Sequence, residues 1–285
     1  MVGLREYNKK INSLKNTRKI TSSMKMISSV KLQKYLKTQQ AAIPFYQNSM
    51  SMLNRIASLV KNPDIFLNGY PEVKKSLIIL FTSDRGLCGR YNTNAIRKAI
   101  QLSDVLSSKR CECLFSFAGS KGHAFFKRQK LPVEKVYAGN SAPNYTTAST
   151  IADDLFDIFI KGAFQEIWIV YTRKAALLEE PCLERLLPFE ISKDLFTEPQ
   201  DFLLEEDSTS LLHSVSQVAI RAKIYKACLD STVSEHAARM GAMDAATANC
   251  DKMIQHYVKL RNRARQTAIT TELTEIVSGK EAIDQ

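Results

Sequence analysis

The first part of the chain carries apolar side chains that mostly lie three or four residues apart, the spacing of a helix that packs along one face. The stripe, which Arg18 and Thr21 interrupt, consists of Leu4, Tyr7, Ile11, Leu14, Ile20, Met24, Ile27 and Val30. We predict one helix over residues 3–58. Pro44 lies inside it and is a candidate position for a kink, because proline lacks the amide hydrogen.

The last part of the chain repeats this pattern at greater length. Its stripe consists of Leu211, Val215, Val218, Ala222, Tyr225, Leu229, Val233, His236, Met240 and Met243. Small residues, which let two helix axes approach closely, cluster beside it at Ala237, Ala238, Gly241, Ala242, Ala245 and Ala246. We predict a helix over residues 208–278, with Gly279 as its C-terminal cap.

Between the two helices the pattern changes to short, continuously apolar runs, as in strands that are buried on both faces. These predicted strands are 76–82, 111–117 and 166–172. The predicted helices between them are 91–107, 120–129 and 148–162. Alternation of strand and helix predicts an α/β domain with a largely parallel sheet. Residues 189–207 fit neither pattern, and we predict a mixture of loop and short strand there.

The predicted domains are therefore an N-terminal helix (1–58), a central α/β domain (59–207) and a C-terminal helix (208–285). Two long helices that leave one domain must run antiparallel, and their stripes predict a coiled coil. At 1.5 Å per residue they span roughly 80 Å and 105 Å, so the second extends about 15 residues beyond the first. That extension contains Ile269, Leu273, Ile276 and Val277. Because so much apolar surface is rarely left in water, we expect another protein to enclose the tip as a sleeve.

Charge is concentrated in the first helix. The chain has a formal net charge of +11. Residues 1–40 contain one acid, Glu6, and ten basic residues: Arg5, Lys9, Lys10, Lys15, Arg18, Lys19, Lys25, Lys31, Lys34 and Lys37. Such a stripe is attracted to nucleic acid, to lipid headgroups or to an acidic protein. Aromatic residues are sparse along it and no nucleic-acid-reading motif is present, so we expect no nucleic acid. An acidic protein partner and a plain solvated face are the two interpretations that remain, and we favour the partner.

Membrane insertion and export are not expected. No run of about 18 apolar residues is present, and residues 1–6 lack an apolar signal region. An Arg- and Ser-rich organelle leader is also missing, so we expect the protein to work where it is made.

The sequence contains no constellation of catalytic or cofactor-binding residues. The six cysteines form no CxxC pair and the four histidines are scattered, which argues against a metal site. The glycine-containing segments 82–92 and 119–122 could cradle a phosphate, but neither has the spacing of a phosphate loop. We interpret both as turns between a strand and a helix. No cofactor is expected.

Four segments resemble the gamma subunit of F-type ATP synthase. They are Ile11-Asn-Ser-Leu-Lys-Asn-Thr-Arg-Lys-Ile-Thr21 with Met24-Lys-Met26, Ser83-Asp-Arg-Gly-Leu-Cys-Gly89, Ser234-Glu-His-Ala-Ala-Arg-Met-Gly-Ala-Met-Asp-Ala-Ala-Thr247, and Asn262-Arg-Ala-Arg-Gln-Thr-Ala-Ile-Thr-Thr-Glu-Leu-Thr-Glu-Ile-Val-Ser-Gly279. They come from both ends and the middle of the chain, in the order of the family.

The resemblance implies a rotor. In this family the terminal helices form an antiparallel coiled coil inside a ring of alpha and beta subunits. The central domain is Rossmann-like and docks, together with the epsilon subunit, on the membrane c-ring. The gamma chain performs no chemistry itself. Because the regulatory insertion of chloroplast versions and a transit peptide are not apparent, the resemblance implies a bacterial protein on the cytoplasmic face of the inner membrane, peripheral and without direct insertion.

The resemblance also assigns contact residues. Arg265 and Gln266 match a pair that hydrogen-bonds a loop of the catalytic subunit, and Thr270 matches a further position in that region. Met24 and Lys25 match the segment near the acidic loop of the catalytic subunit, and Arg239 matches an arginine of the facing helix. Arg90 departs from the family, in which a small residue commonly follows Gly-Leu-Cys-Gly, so the docking surface of the central domain is expected to differ there. A nucleic-acid-binding coiled-coil protein that uses the basic helix and a nucleotide-binding α/β enzyme with helical arms remain as alternatives.

Overall fold

The computed structural model describes residues 4–60, 64–137, 142–175, 178–190 and 208–283. The two long helices are α1 (Leu4–Leu59) and α6 (Ser208–Ile283). Between them lie β1 (Lys75–Phe81), β2 (Glu112–Ala118), β3 (Val133–Tyr137), β4 (Glu166–Ala175), β5 (Leu178–Leu187), α2 (Ile65–Asn68), α3 (Tyr91–Ser108), α4 (Ser120–Arg128) and α5 (Tyr145–Ile160). No helix in these described ranges is long and apolar enough to cross a membrane.

Both terminal helices are as long as the sequence predicts or longer. Pro44 lies within α1 without ending it. The predicted cap at Gly279 is wrong, because α6 runs through this residue to Ile283. The chain groups into two compact units: Met1–Ser28 with Met240–Gln285, hereafter the helical unit, and Ser29–Arg239, hereafter the sheet unit. The division at 58 and 207 stays a prediction.

The sheet has five strands in the order β3-β2-β1-β4-β5. Strands β3, β2, β1 and β4 run parallel, and β5 pairs with β4 antiparallel. The prediction of a largely parallel α/β sheet is confirmed. The two outer strands escaped prediction because their sequences are polar, as is usual at a sheet edge. Strand β3 carries Glu134 and Lys135, and β5 contains Pro181, which edge strands tolerate.

Apolar side chains cover both faces of the sheet, all within the sheet unit. On one face Ile78, Leu80 and Phe117 pack against α3 and α4, including Phe126. On the other face Leu77, Ile79, Phe81 and Ile169 pack against α5, the end of α1 and the start of α6, where Leu53, Leu212 and Ile220 are buried. Because helices cover both faces, the central strands can be continuously apolar, which is why they were recognisable in the sequence.

In the helical unit, α1 and α6 pair antiparallel through polar as well as apolar side chains. Arg18 Nε donates to Asp251 Oδ1 at 2.5 Å, Thr247 Oγ1 donates to Thr21 Oγ1 at 2.8 Å, and Lys25 Nζ donates to Asp244 Oδ1 at 2.6 Å. Residue numbers fall along α6 as they rise along α1, which confirms the predicted antiparallel pairing. On α6 the stripe that reaches Met243 continues through Thr247 and Cys250.

The predicted stripe on α1 is partly wrong. Ile11, Thr21 and Ser28 are buried, whereas Ile20 and Ile27 are 61% and 57% exposed. The seam steps from Ile11 through Leu14, Arg18, Thr21 and Lys25 to Ser28, which leaves the isoleucines one position out of phase. Polar residues therefore occupy the seam, and apolar residues lie on the outer face of α1. Val30, in the sheet unit, is also exposed.

Close packing, rather than phosphate binding, explains both glycines of the 119–122 segment. Gly119 has φ 121°, and a Cβ built there would lie 2.0 Å from the carbonyl oxygen of Thr82. A Cβ on Gly122 would lie 2.9 Å from Thr82 Oγ1, which already accepts the Gly122 amide at 3.0 Å. The start of α4 thus sits directly on the end of β1.

We expect Gly119→Ala to lower the free energy of unfolding by several kcal/mol, on the order of 3 or more, because it adds backbone strain to a clash with a fixed carbonyl. Gly241→Ala is the matched control. Gly241 lies inside α6 with nothing near its missing Cβ, so alanine should raise stability by about 1 kcal/mol. Urea denaturation of the isolated chain measures both. Equal effects of the two substitutions would contradict the packing described here.

Candidate partner-binding surface

The segment after β1 folds into a tight turn that its own side chains hold together. Ser83 Oγ donates to the carbonyl oxygen of Arg85 at 2.7 Å, and Asn92 Oδ1 accepts the Ser83 amide at 3.0 Å. Leu87 and Gly89 have φ values of 66° and 58°. The interpretation as a strand-to-helix turn is confirmed in its geometry, with one difference: Gly89 has positive φ and Gly86 does not.

This turn, residues 83–90, is fastened to α6 by Arg239. The Arg239 guanidinium donates to the carbonyl oxygens of Arg85 at 3.1 Å and Gly86 at 3.3 Å. It also forms an ion pair with Glu235 at 2.7 Å, in which both side chains are 8% exposed. Directly after the turn, at the start of α3, the Tyr91 hydroxyl forms a second hydrogen bond to α6, with Ser231 Oγ. Two of the segments that carry the family resemblance therefore contact each other within the sheet unit.

His236 completes this buried group. Its ring stacks on Tyr35 of α1 with centroids 5.7 Å apart, and its Nδ1 lies 3.3 Å from Arg239 Nη1. Since a guanidinium can only donate, Nδ1 must accept, which requires a neutral imidazole with its hydrogen on Nε2. Burial, followed by the positive charges of Arg239 and Lys31, lowers the pKa of His236 to about 4. Burial also raises the pKa of Glu235, although the Arg239 charge opposes the rise.

The residues predicted to contact a partner lie in two settings. Arg239 is 7% exposed and is engaged internally. Its predicted contact with the catalytic ring stays a prediction, while the structure gives it an internal role. In the helical unit Met24 and Lys25 are half-buried, and Lys25 pairs with Asp244 of α6.

The remaining predicted contacts lie on the last turns of α6, and all of them are exposed. Arg265, Gln266 and Thr270 form one group, and the apolar residues Ile269, Leu273, Ile276 and Val277 form the other. Leu273 and Ile276 are 58% and 67% exposed. Four threonines in this region donate their hydroxyls to the carbonyl four residues earlier: Thr267, Thr270, Thr271 and Thr274.

Sequence reasoning missed a second apolar surface, on the outer face of α1. Ile20, Met26 and Ile27 of the helical unit are all more than half exposed. These residues occupy the positions opposite the seam through Arg18, Thr21 and Lys25, which the structure reveals. The surface was overlooked because apolar spacing alone assigned Ile20 and Ile27 to the seam. Together with the end of α6, this face forms the candidate partner-binding surface of the helical unit.

The described parts of the chain hold no group of three or more His, Cys, Asp or Glu side chains placed to bind a metal ion. None of the six cysteines, which all lie in described parts of the chain, forms a disulfide, and five of them are buried. The arrangement can thus present apolar and basic side chains to another macromolecule.

Comparison with known proteins gives one consistent result. A sequence model of a family described as ATP synthase matches residues 3–283. The ATP synthase gamma chain of Geotalea uraniireducens is 35% identical over 293 residues, covering 99% of both chains. That of Clavibacter sepedonicus is 34% identical over 292 residues, covering 98% of this chain and 97% of the relative.

Two solved structures share the fold. One is the central stalk and c-ring of the mitochondrial ATP synthase of Tetrahymena thermophila, with a TM-score of 0.60, 21% identity, and coverage of 80% of this chain and 99% of that one. The other is a structure of the Euglena gracilis mitochondrial ATP synthase that contains OSCP, F1 and the c-ring. Its matching chain has a TM-score of 0.69 and 17% identity, and the match covers 98% of this chain and 94% of that one.

The neutral, buried His236 predicts a specific dependence of stability on pH. Between pH 6.5 and about 4 the unfolded chain takes up a proton at this residue and the folded chain does not. The free energy of unfolding should therefore fall as the pH falls through this window, by up to about 3 kcal/mol, and should level off below it. Glu235 acts in the opposite direction, because a raised pKa favours the folded state on acidification.

His236→Phe keeps an aromatic ring against Tyr35 and removes the titrating group, so the variant should lose this histidine contribution. Glu235 is present in both proteins, and comparing them isolates the effect of His236. The control is His256→Phe, which replaces an exposed histidine of α6 that lies outside this buried group. Urea unfolding at several pH values between 4 and 7 is the measurement. A parent-like slope in His236→Phe would contradict the assignment.

Proposed function

The chain belongs to the ATP synthase gamma chain family, and we propose that it acts as the rotating central-stalk subunit of such a complex. In this role it couples ion-driven rotation of the membrane c-ring to ATP synthesis or hydrolysis in the ring of alpha and beta subunits. Full-length similarity to gamma chains supports the proposal. So does the fold, which is shared with a chain from a structure of a central stalk and c-ring and with a chain from a structure of OSCP, F1 and c-ring.

The observation that carries the proposal is the exposed apolar surface of the helical unit. Ile20, Met26 and Ile27 on α1, and Leu273 and Ile276 on α6, are each at least half exposed in the isolated chain. Apolar groups on the outside of a paired-helix segment are stabilised when another protein covers them. A ring that encloses both helices would cover them, and the basic residues of α1 would then face acidic loops of the catalytic subunits.

The coupling takes the form of a biased equilibrium. The two helices have different side chains on different sides, so each subunit of a surrounding ring meets a different surface of them. Turning the helices changes which surface each subunit contacts, and so shifts the conformational equilibrium of that subunit. In this scheme the chain makes and breaks no covalent bond, and catalysis belongs to the ring.

The individual residues take the following roles. Arg265 and Gln266 hydrogen-bond a loop of the catalytic subunit, with Thr270 one turn further along. Met24 and Lys25 meet its acidic loop. Arg239 reaches the same region only if its internal bonds to the 83–90 turn open. Ile269, Leu273, Ile276 and Val277 lie within the apolar sleeve.

The sheet unit docks with the epsilon subunit on the c-ring. In this proposal the complex lies on the cytoplasmic face of a bacterial inner membrane, and the chain is peripheral to that membrane.

The experiment that tests the function is reconstitution of the membrane complex with and without this chain. ATP hydrolysis coupled to ion pumping, restored only when the chain is present at a fixed ratio to the ring subunits, is the expected result. Salt-dependent retention of the isolated chain on DNA, without binding to ring subunits, would instead favour a nucleic-acid-binding protein. Nucleotide bound by the chain alone would favour an enzyme.

The enclosed tip predicts a difference in thiol reactivity. Cysteine at position 273 or 276, introduced as Leu273→Cys or Ile276→Cys, should react quickly with a soluble maleimide in the isolated chain and slowly in the assembled complex. Cys182, the one native cysteine that is not fully buried, should first be changed to serine to remove background. Equal labelling rates in the two states would reject the sleeve.

The contact assigned to Gln266 predicts a functional loss without a loss of folding. Gln266→Leu should lower coupled ATP synthesis in membrane vesicles, because leucine cannot form the hydrogen bonds of the amide. Its stability should stay within about 0.5 kcal/mol of the parent, since the side chain is exposed. Gln255→Leu, at another exposed position of α6, is the matched control. Unchanged synthesis in Gln266→Leu would count against this contact.

A further inference from the structure

A lysine in the sheet unit is enclosed by groups from three different elements. Lys226 Nζ of α6 lies 5.3 Å from the ring centre of Tyr46 in α1 and 5.6 Å from that of Tyr171 in β4. It also donates to Asp230 Oδ2 at 2.7 Å. The ammonium therefore has a carboxylate on one side and two aromatic faces on others, each of which attracts a cation. We call these four residues the lysine box.

The acidic member of the box ties α6 to α1 directly. Asp230 is 3% exposed, and its second carboxylate oxygen, Oδ1, accepts from Gln39 Nε2 at 2.5 Å. One carboxylate thus joins a cation on its own helix to an amide on the opposite helix. Both of its oxygens are occupied, which is what a buried carboxylate requires.

The aromatic member ties α6 to the sheet. The Tyr171 hydroxyl donates to Glu184 Oε1 of β5 at 2.5 Å, and Glu184 lies 3.5 Å from Lys223 Nζ, one turn before Lys226 on α6. Lys223 Nζ also donates to the carbonyl oxygen of Arg185 at 2.8 Å. Burial lowers the pKa of Lys223, whereas the Glu184 carboxylate opposes that change. The hairpin β4–β5 and α6 are therefore joined by charged and polar groups beside the box.

These contacts restrict sliding and rotation more than apolar packing does. If α1 advanced by one residue against α6, Gln39 would leave Asp230, and a nearly buried carboxylate oxygen would lose its donor. An apolar side chain in the same place could find new neighbours after such a shift. Buried polar groups that have one correct partner are known to fix the alignment of paired helices.

We propose that the lysine box is a positioning site that holds α1, α6 and the β4–β5 hairpin in one rotational alignment, so that a twisting load on the sheet passes to the helices. The proposal rests on the proposed rotor function. Lys226 and Asp230 are also spaced four residues apart on one helix, as in many solvent-exposed ion pairs that contribute little. The box differs because Asp230 is buried and because partners from α1 and β4 surround the pair.

The test compares substitutions at Lys226 in the reconstituted complex. Lys226→Met keeps the length of the side chain and removes the charge, and Lys226→Arg keeps a cation between the two rings. The double variant Lys226→Asp with Asp230→Lys keeps an ion pair on the helix but places the carboxylate between the tyrosines. The control is Arg221→Met, which removes a two-point bond to Asp153 of α5 elsewhere on α6.

We expect Lys226→Met and the double variant to retain ATP hydrolysis in the assembled complex while losing ion pumping per ATP hydrolysed. Lys226→Arg should restore pumping, and Arg221→Met should keep the parent ratio. Hydrogen exchange of the isolated chain should be faster in Lys226→Met around residues 39–46 and 226–230. The ratio of pumping to hydrolysis separates this role from simple instability, which would lower the two activities together.

Two results would overturn the proposal: a parent-like ratio in Lys226→Met, or full recovery in the double variant. Loss of assembly in both Lys226→Met and Lys226→Arg would also contradict it, since the site would then serve only folding. If the complex that contains the parent chain fails to couple hydrolysis to pumping, the proposed function fails instead, and that outcome is recognised before any variant is compared.

Discussion

The alignment of α1 against α6 depends on polar side chains that reach from one helix to the other. In the helical unit Arg18 meets Asp251 and Thr21 meets Thr247, and in the sheet unit Gln39 meets Asp230. Apolar seams tolerate small shifts, whereas these pairs favour a single alignment because a shift of one helix along the other would separate their atoms. The exposed pairs contribute little free energy. Their effect is to make shifted alignments of the two helices unfavourable. The buried Asp230 contributes most to this effect, because a shift would leave its carboxylate without a donor.

The same logic extends to the turn after β1. Arg239 occupies two backbone carbonyls of this turn and balances its charge with Glu235. Because the guanidinium is buried, removing either partner would leave an uncompensated charge, which costs about 3–5 kcal/mol. The turn at the end of the sheet and the helix that carries Arg239 are therefore one structural entity, although about 150 residues separate Gly86 from Arg239.

The sequence was sufficient for β1, β2 and β4, whose apolar runs reflect burial on both faces, and for the extent of the two long helices, whose apolar residues recur at helical spacing. It was insufficient for the edge strands β3 and β5. Their polar residues and proline, Glu134 and Lys135 in β3 and Pro181 in β5, are of the kind that prevents further strand pairing and hides the apolar pattern of a strand. The phase of the α1 seam failed for a related reason. Thr21, which is hydrogen-bonded to Thr247 of α6, and Ser28 are both buried, and the spacing of apolar residues could not reveal the burial of polar ones.

Some parts of the candidate partner-binding surface could also be predicted from the sequence, and others could not. Segments 83–89 and 234–247 were recognisable separately, but only folding brings Arg239 onto the turn. The contact residues near the end of α6 came from family resemblance, and their exposure agrees with a surface open to a partner. The outer apolar face of α1 and the surroundings of Lys226 required the three-dimensional arrangement, because their members come from different elements or face away from the seam.

The four threonines near the end of α6 have a consequence for how that segment can move. Each hydroxyl is already bonded to a carbonyl of its own helix. A hydroxyl whose hydrogen is already donated cannot donate to a partner, although it can still accept. A neighbour that passes the threonines beside Leu273 and Ile276 therefore has no hydrogen bond from a threonine hydrogen to break. These four residues should add little resistance to such movement, in contrast to the hydrogen-bonded groups around Lys226.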